Sequence, residues 1–477
     1  MRPALHDGRR VWSAVQLDEA VAEAGRTLAA ADARVLATVL DNGAAFVALD
    51  EAAQQRGIVH VPLPQFFSAA QMQHALQAAG VDTMLVAAEL ATAWSALSWK
   101  PVEVAGAALL QARLPSAAVA LPAHTAKISF TSGTTGAPKG VCLSTAALQR
   151  VAMALVEAMA PLHIERHLNA LPFAVLLENI AGLMAPRLQG ATVISLPLGE
   201  LGLTGSSSFD AALFQAAVQR HQPHSLILLP QMLRAWCSEL VRSGQRAPAS
   251  LKLVAVGGAA VGAPLIRAAQ ALGVPACEGY GLSEGASVQT LNLPGAERPG
   301  SAGRPLPHAR LRMADDGEIL IAGSLFSGYL GDAAQVPDWR PSGDLGHIDD
   351  DGYLQVSGRK KNLLITAFGR NVSPEWVETA LRCHPALLQA VVFGDGAPAL
   401  SAVLWPTQPE ADDAALQAAV DAANATLPDY ARIARWTRGR AAFDARTGLA
   451  TANGRPQRAA IQQRHADALG LALELTP

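Results

Sequence analysis

The sequence predicts an α/β protein of two or three domains. Three observations carry that expectation: a length of 477 residues, a regular alternation of strand-like and helix-like runs, and a change of rhythm after residue 310. A chain this long exceeds one ordinary domain. Half of its residues are hydrophobic, enough to bury a large core.

Residues 34–40 read as a β-type run, 43–56 as a helix, 60–63 as a short strand, 69–79 as a helix and 83–86 as a strand. Strands that alternate with helical runs build parallel sheets with crossover helices. The pattern resumes with a strand at 225–229, a helix at 232–241, a strand at 251–256 and a helix at 264–272, before a strand-like entry to Tyr280. From 310 to 354, short β-type runs with Gly and Asp-Asp turns predict a small antiparallel module. After Gly358 a compact α+β pattern follows, with strands at 362–366, 390–394 and 400–405 and helices at 374–388 and 414–425.

Composition excludes several classes of function. Net charge is −3 and the basic residues are scattered, which argues against nucleic acid as a partner. The four cysteines (Cys142, Cys237, Cys277, Cys383) show no CxxC spacing, consistent with a reducing compartment. No apolar leader follows Met1 and no stretch of about 18 apolar residues occurs, so the expectation is a cytoplasmic protein with no integral membrane segment.

The chemistry concentrates in residues 131–140, Thr-Ser-Gly-Thr-Thr-Gly-Ala-Pro-Lys-Gly. The run follows an apolar β-type segment and precedes a predicted helix from Ser144 to about Met159. Gly133, Gly136 and Gly140 let the backbone turn tightly and bring N–H groups to an anion. Thr131, Ser132, Thr134 and Thr135 add hydroxyl donors, and Lys139 adds a fixed positive charge. Such a composition suits a polyphosphate. The common nucleotide-triphosphatase loop ends in Gly-Lys-Ser/Thr, whereas here Lys139 lies between Pro138 and Gly140.

Read as a string, TSGTTGAPKG resembles the phosphate loop of the adenylate-forming (AMP-dependent synthetase/ligase) enzymes: acyl-CoA synthetases, aryl-CoA ligases, adenylation domains and luciferases. The resemblance recurs in the family's order. EGYGLSE stands at 278–284, RPGSAGRPLP at 298–307, GEIL at 317–320 and SGDLGHID at 342–349. GRKKNLLI follows at 358–365, GRNVSPEWVE at 369–378 and TANGRPQR at 451–458.

The resemblance implies a large N-terminal domain of doubly wound sheets plus a small β-module (1–357) and a small mobile α+β C-terminal lid (358–477), with the site in the crevice between them. It implies a two-step reaction. A carboxylate attacks the α-phosphate of ATP to give acyl-AMP and pyrophosphate, and a thiol then takes the acyl group and releases AMP. The implied cofactors are ATP, Mg²⁺ and either coenzyme A or a phosphopantetheinyl carrier protein. The sequence does not choose between the two thiols.

Residue by residue, the resemblance places Thr131, Ser132, Gly133, Thr134, Thr135 and Gly136 with Lys139 at the phosphates. It makes Glu284 the Mg²⁺ contact, with Ser283 at the α-phosphate. Glu278, Tyr280 and Gly281 line the adenine side, as do Gly258 and Ala259. Asp344 and Arg359 reach the ribose, and Lys361 is the hinge. A carboxylate is a hard oxygen ligand, and Mg²⁺ takes only one or two of these beside phosphates and water.

At Arg455 the family carries a lysine that bridges carboxylate and α-phosphate. Arginine keeps the charge as a wider, planar fork. Three readings stay open: Arg455 does the lysine's work, the first half-reaction is weak, or the lid is non-catalytic and the protein holds nucleotide or acyl-AMP without turnover. Ile365 stands near the place where luciferases carry their oxidation lysine, which argues against an oxygenase.

The segment 171–178, LPFAVLLE, resembles the long-chain acyl-CoA synthetase branch. It suggests an acyl pocket bounded by Phe173, Val175, Gly182 and Gly257, with 229–233 on another wall. These candidates are apolar, so the expected substrate is a fatty or other hydrophobic carboxylic acid. Leu176 and Leu177 are equally compatible with plain core packing.

Overall fold

A computed structural model describes residues 2–115, 119–131, 138–205, 208–332, 335–451 and 454–469. The predicted loop residues Ser132, Gly133, Thr134, Thr135 and Gly136 lie outside the described residues.

Local signals set the first elements. The helix Ala14–Ala30 starts where Ser13 Oγ accepts from the Gln16 amide and the Gln16 side chain accepts from the Ser13 amide. The same reciprocal cap, Ser68 with Gln71, opens the helix Ala69–Ala78. Each helix then buries one apolar stripe: Leu17, Val21, Ala24 and Leu28 in the first, Met72, Ala75 and Leu76 in the second.

Among the described residues two large mixed sheets dominate the N-terminal domain. One runs nine strands and has the parallel ladder Arg166–Leu168, Ser225–Leu228, Leu253–Val256 and Ala276–Leu282 at its centre. The other runs eight, with Val35–Val39 between the parallel neighbours Val59–Pro62 and Thr83–Ala87. Apolar side chains of the first sheet and the helices Thr145–Met159 and Pro230–Ser243 form the largest core, around a fully buried Trp236. The strands Ala309–Met313, Glu318–Gly323, Arg340–Ile348 and Leu354–Arg359 make the expected antiparallel module. The smaller C-terminal domain packs the helices Pro374–Arg382, Asp413–Thr426 and Arg458–Leu469 with the sheet Leu387–Phe393, Leu400–Pro406, Ile433–Arg438.

Two expectations need correction. The helix drawn over 374–388 ends at Arg382, and Leu387 begins a strand. Pro385 lacks a backbone donor and disfavours helical geometry at His384, so helix and strand must separate there. The helix expected from Ser144 to about Met159 is present as Thr145–Met159, with Ser144 as its N-cap. Lys139–Ser144 is a strand antiparallel to Thr125–Thr131, with Thr131 opposite Lys139. The strand expected at 362–366 shrinks to Leu364–Ile365, because Lys360–Asn362 forms a helical turn.

The two domains touch. The Arg234 guanidinium donates to the carbonyl of Arg382. Gly262 lies so close to Thr379 that an added Cβ would stand 2.9 Å from its Cγ2.

Candidate active site

The parallel strands Ser225–Leu228, Leu253–Val256 and Ala276–Leu282 end on the same side of their sheet, and their carboxyl-end loops carry the predicted residues Gly257, Gly258, Ala259, Ser283 and Glu284. Open α/β sheets bind ligands at this end, where diverging loops leave a crevice.

Glu284 sits in a single helical turn, Ser283–Gly285, at the end of Ala276–Leu282. Its carbonyl accepts from the Phe326 amide at 2.9 Å, and its Oε1 accepts from the Tyr329 hydroxyl at 2.6 Å. Tyr329 belongs to the two-residue strand Gly328–Tyr329, which pairs with Lys139–Ser144. That pairing brings Lys139 Nζ to 5.5 Å from the Tyr329 ring centroid, and Arg340 Nη2 lies 3.2 Å from the Tyr329 hydroxyl. Burial and the Glu284 carboxylate push the Tyr329 phenol up to about 12, so it stays a donor. His74 Nε2 lies 3.0 Å from the carbonyl of Pro138 and buttresses the phosphate run.

A second group forms at the antiparallel module. Asp344, only 5% exposed, lies opposite Arg359 in the strand pair Arg340–Ile348 and Leu354–Arg359. Its Oδ1 is 2.8 Å from Arg359 Nε, and its Oδ2 accepts from the Tyr280 hydroxyl at 2.8 Å. Burial raises the Asp344 carboxyl above its ordinary range despite the opposing Arg359 and Tyr280 contacts. Burial and Asp344 likewise hold the Tyr280 phenol well above its usual value. Glu278 accepts from the Val261 amide at 3.2 Å, and burial pushes its carboxyl up to about 7.

Arg455 comes from the C-terminal domain. The Thr451 amide donates to its carbonyl at 2.7 Å and its own amide donates to Thr451 Oγ1 at 3.2 Å, and its charge acts on both groups. Arg455 is solvent-exposed; partial desolvation and then the Arg359 cation lower its pKa, while the Asp344 and Glu284 carboxylates act in the opposite direction. Lys361 is held by the turn Lys360–Asn362; desolvation and then Arg359 and Arg455 lower its pKa. Its neighbour Lys360 bonds Asp316 at 2.6 Å and Glu318 at 2.8 Å, tying the turn to the β-module.

The predicted acyl residues divide. Gly257, Leu177 and Gly279 are neighbours: a Cβ on Gly257 would meet the Gly279 carbonyl at 3.3 Å and Leu177 Cδ2 at 4.0 Å. Gly258, at φ +85°, faces Leu229 Cδ2 in the same way at 3.1 Å. Ala259 is exposed beside it, and Val175 is half-buried. Phe173 is not brought to this wall. It is 1% exposed in a different core, its ring 5.2 Å from that of Phe46. Gly182 is also set apart, inside a π-helical turn Glu178–Met184, where a Cβ would lie 2.5 Å from Glu178 Oε1. There the absence of a side chain makes room for a buried carboxylate rather than for an acyl chain.

Sequence reasoning missed Tyr329, Arg340 and His74. Each contacts a residue distant along the chain, so no spacing announces it. It also missed two buried polar clusters: Asp50 with His60 and Lys127, and Glu178 with Asn169. Burial pushes the Asp50 carboxyl up, but Lys127 and His60 outweigh this and leave it far below its usual range.

Among the described residues no group of three acidic, His or Cys side chains could hold a metal by itself. Glu284 is a single carboxylate beside the strand pair Thr125–Thr131 and Lys139–Ser144. That donor set fits Mg²⁺ carried in by phosphates, which needs one or two carboxylates, and does not fit a tightly held resident ion.

Fold and site together define a class: a two-domain α/β protein whose ionisable groups gather at the carboxyl ends of a parallel ladder and on the adjoining antiparallel module. The chain belongs to the AMP-binding enzyme family. The model of that family matches residues 1–330, and the model of the AMP-binding enzyme C-terminal domain matches residues 361–472.

The chain is similar to the long-chain-fatty-acid–CoA ligase FadD15 of Mycobacterium tuberculosis, at 39% identity over 181 residues, 37% of this chain and 30% of that one. It is also similar to the indoleacetate–CoA ligase of Aromatoleum aromaticum, at 32% over 289 residues, 56% of this chain and 54% of the relative. The chain thus spans less than two thirds of these curated relatives. Among solved structures, the anthranilate CoA ligase AuaEII in complex with anthranoyl-AMP has a TM-score of 0.81 at 20% identity, covering 99% of this chain and 95% of that one. The o-succinylbenzoate CoA synthetase of Bacillus subtilis with ATP and magnesium ion has a TM-score of 0.77 at 23% identity, covering 97% and 96%. At these identities the likeness is one of fold.

Proposed function

We propose that this protein is an AMP-forming acid–thiol ligase acting on a hydrophobic, fatty-type carboxylic acid. The observation that carries the reading is that Arg455 of the C-terminal domain interacts electrostatically with Glu284 and Asp344 of the N-terminal domain, while Arg359 at the boundary ion-pairs with Asp344. The carboxylate and the triphosphate are both anions and must be neutralised before they meet. Lys139 on its strand and Arg455 on the C-terminal domain are the cations placed for that, and preorganised charge of this kind costs no rearrangement during the reaction. Asp344 and Arg359 hold the ribose, Tyr280 backs the adenine, and Ser283 reaches the α-phosphate. Glu284 holds Mg²⁺, which would shield phosphate charge. The carboxylate oxygen bonds the α-phosphorus as the bond to the β-phosphate oxygen breaks, and pyrophosphate leaves. The thiol, as its conjugate base, then bonds the acyl carbon and AMP departs.

The apolar neighbours Leu177 and Leu229 and the bare backbone at Gly257–Gly258 support a hydrophobic acid. Two relatives are named for fatty and indoleacetic acids, and their CoA ligase names favour coenzyme A over a carrier protein as the thiol. We place the mobile lid at 358–477, swinging about Lys361 against 1–357, in a cytoplasmic enzyme.

Acid-dependent pyrophosphate exchange across a panel of fatty and aryl acids tests this. Exchange with long-chain acids supports it, and exchange with aryl acids alone moves the substrate class. Tight nucleotide binding with no exchange for any acid would favour a non-turnover binding protein, the reading that Arg455 in place of lysine keeps alive.

A further inference from the structure

We infer that Arg340 is a phosphate ligand of this site, a second fixed cation that grips the β- and γ-phosphates of ATP and the departing pyrophosphate. The inference rests on the ATP-binding reading above and names a residue that the family signatures do not single out.

Arg340 opens the strand Arg340–Ile348 and turns its guanidinium toward Glu284. Nη2 lies 3.2 Å from the Tyr329 hydroxyl, which is 2.6 Å from Glu284 Oε1. Its Cζ stands 5.4 Å from the ring centroids of both Phe326 and Tyr329, and Lys139 Nζ is 5.5 Å from that same Tyr329 centroid. Two cations and one carboxylate therefore surround one phenol, leaving a local surplus of positive charge. Among the described residues no carboxylate forms an ion pair with Arg340. Its Nε is buried without a hydrogen-bond partner. Burying a donor unsatisfied is costly, and the flanking aromatic rings of Phe326 and Tyr329 favour a cation there.

Position selects the outer phosphates. Arg340 precedes Asp344 by four residues on the same strand, within about 13 Å along it. Asp344 and Arg359 mark the ribose end, whereas Arg340 shares its end with the phosphate-run lysine. A planar fork there matches two phosphate oxygens at once. Tyr329 links the pair, holding Glu284 until the metal-bound triphosphate takes over that contact.

The test is calorimetric titration of the full chain with Mg²⁺-ATP, inorganic pyrophosphate with Mg²⁺, and AMP. Arg340→Gln should weaken ATP and pyrophosphate binding by about 10- to 100-fold, the range for one charged hydrogen-bond contact, and leave AMP binding within about twofold. Arg340→Lys should recover part of the loss, since the charge returns without the fork, and it serves as the second variant if the Gln form is unstable. Equal losses for AMP and ATP, no loss for either, or wild-type protein that binds neither ATP nor pyrophosphate would each overturn the assignment. None of these titrations needs an acid or a thiol. If the wild type binds ATP through Arg340 but activates no acid, the ligase reading fails and this one stands.

Discussion

Replacing Gly281 by alanine should cripple the site far more than the added methyl suggests. Gly281 lies where the strand Ala276–Leu282 pairs irregularly with Ser287–Leu291, the register shifting between Tyr280 and Gly281. A Cβ there would stand 2.2 Å from the Ser287 carbonyl oxygen and 2.8 Å from Val288 Cα. All the obstructing atoms are backbone, so no rotamer relieves the clash, and the chain must move by roughly 1 Å to restore ordinary contact. Overpacking of this kind costs about 1–3 kcal/mol. The segment that must move bears Tyr280 on one side and the turn Ser283–Gly285 on the other. It already holds Ala286 at φ +56° and Ser287 at φ +108°, so little slack remains. A misplacement of about 1 Å costs on the order of 100-fold in rate. Pyrophosphate exchange should therefore fall about 100-fold in Gly281→Ala while Tm drops by only a few degrees. Gly257→Ala is the control. Its Cβ would meet one carbonyl at 3.3 Å and a flexible Leu177 methyl at 4.0 Å, so it should trim the acyl pocket and shift acid preference with little loss of stability. Near-normal exchange in Gly281→Ala would refute the packing argument.

Other perturbations separate the remaining roles. Glu278, raised from its ordinary 4.5 to about 7, binds its proton more tightly in the folded state. Its contribution to stability should therefore be fully present below about pH 4.5 and be lost as pH rises toward 7, by up to ~3 kcal/mol. Glu278→Gln should flatten that decline, as denaturant unfolding at pH 5 and pH 8 would reveal. Glu284→Ala should cut Mg²⁺-dependent turnover by about two to three orders of magnitude and Lys139→Ala by less, since other phosphate contacts remain; unchanged turnover in Glu284→Ala removes the metal assignment. Arg455→Ala should depress acyl-AMP formation but spare thiol transfer from supplied acyl-AMP, with Arg455→Lys retaining adenylation. Lys361→Pro should do the reverse, because a fixed φ obstructs lid rotation, and single-turnover assays of each half-reaction distinguish the two patterns.

Much of this architecture was legible along the chain. The helices Ala44–Arg56, Ala69–Ala78 and Asp413–Thr426 and the strands Val35–Val39 and Thr83–Ala87 fall within a residue or two of the expected bounds. Each is governed by neighbours close in sequence: a cap, an apolar stripe, a β-branched run. The motif blocks likewise pointed to Glu284, Asp344, Arg359 and Arg455. The reading failed where a distant partner or a local break in helical period decided. Phe173 sits in a core shared with Phe46, and the Gly182 gap is filled by Glu178 through a π-helical turn, a local widening that periodicity cannot foresee.

By itself, then, the sequence determined the element types, the family and the list of chemical groups, because propensity, capping and motif strings are local properties. Tertiary structure alone decided what those groups touch. The strand Gly328–Tyr329 had to pair with Lys139–Ser144 before Tyr329 could reach Glu284 and Arg340 could stand beside Lys139. Strand pairing joins residues of any separation, and side-chain charge acts over a few ångströms of space regardless of position along the chain, so the electrostatics of the phosphate end exist only once the sheets have formed.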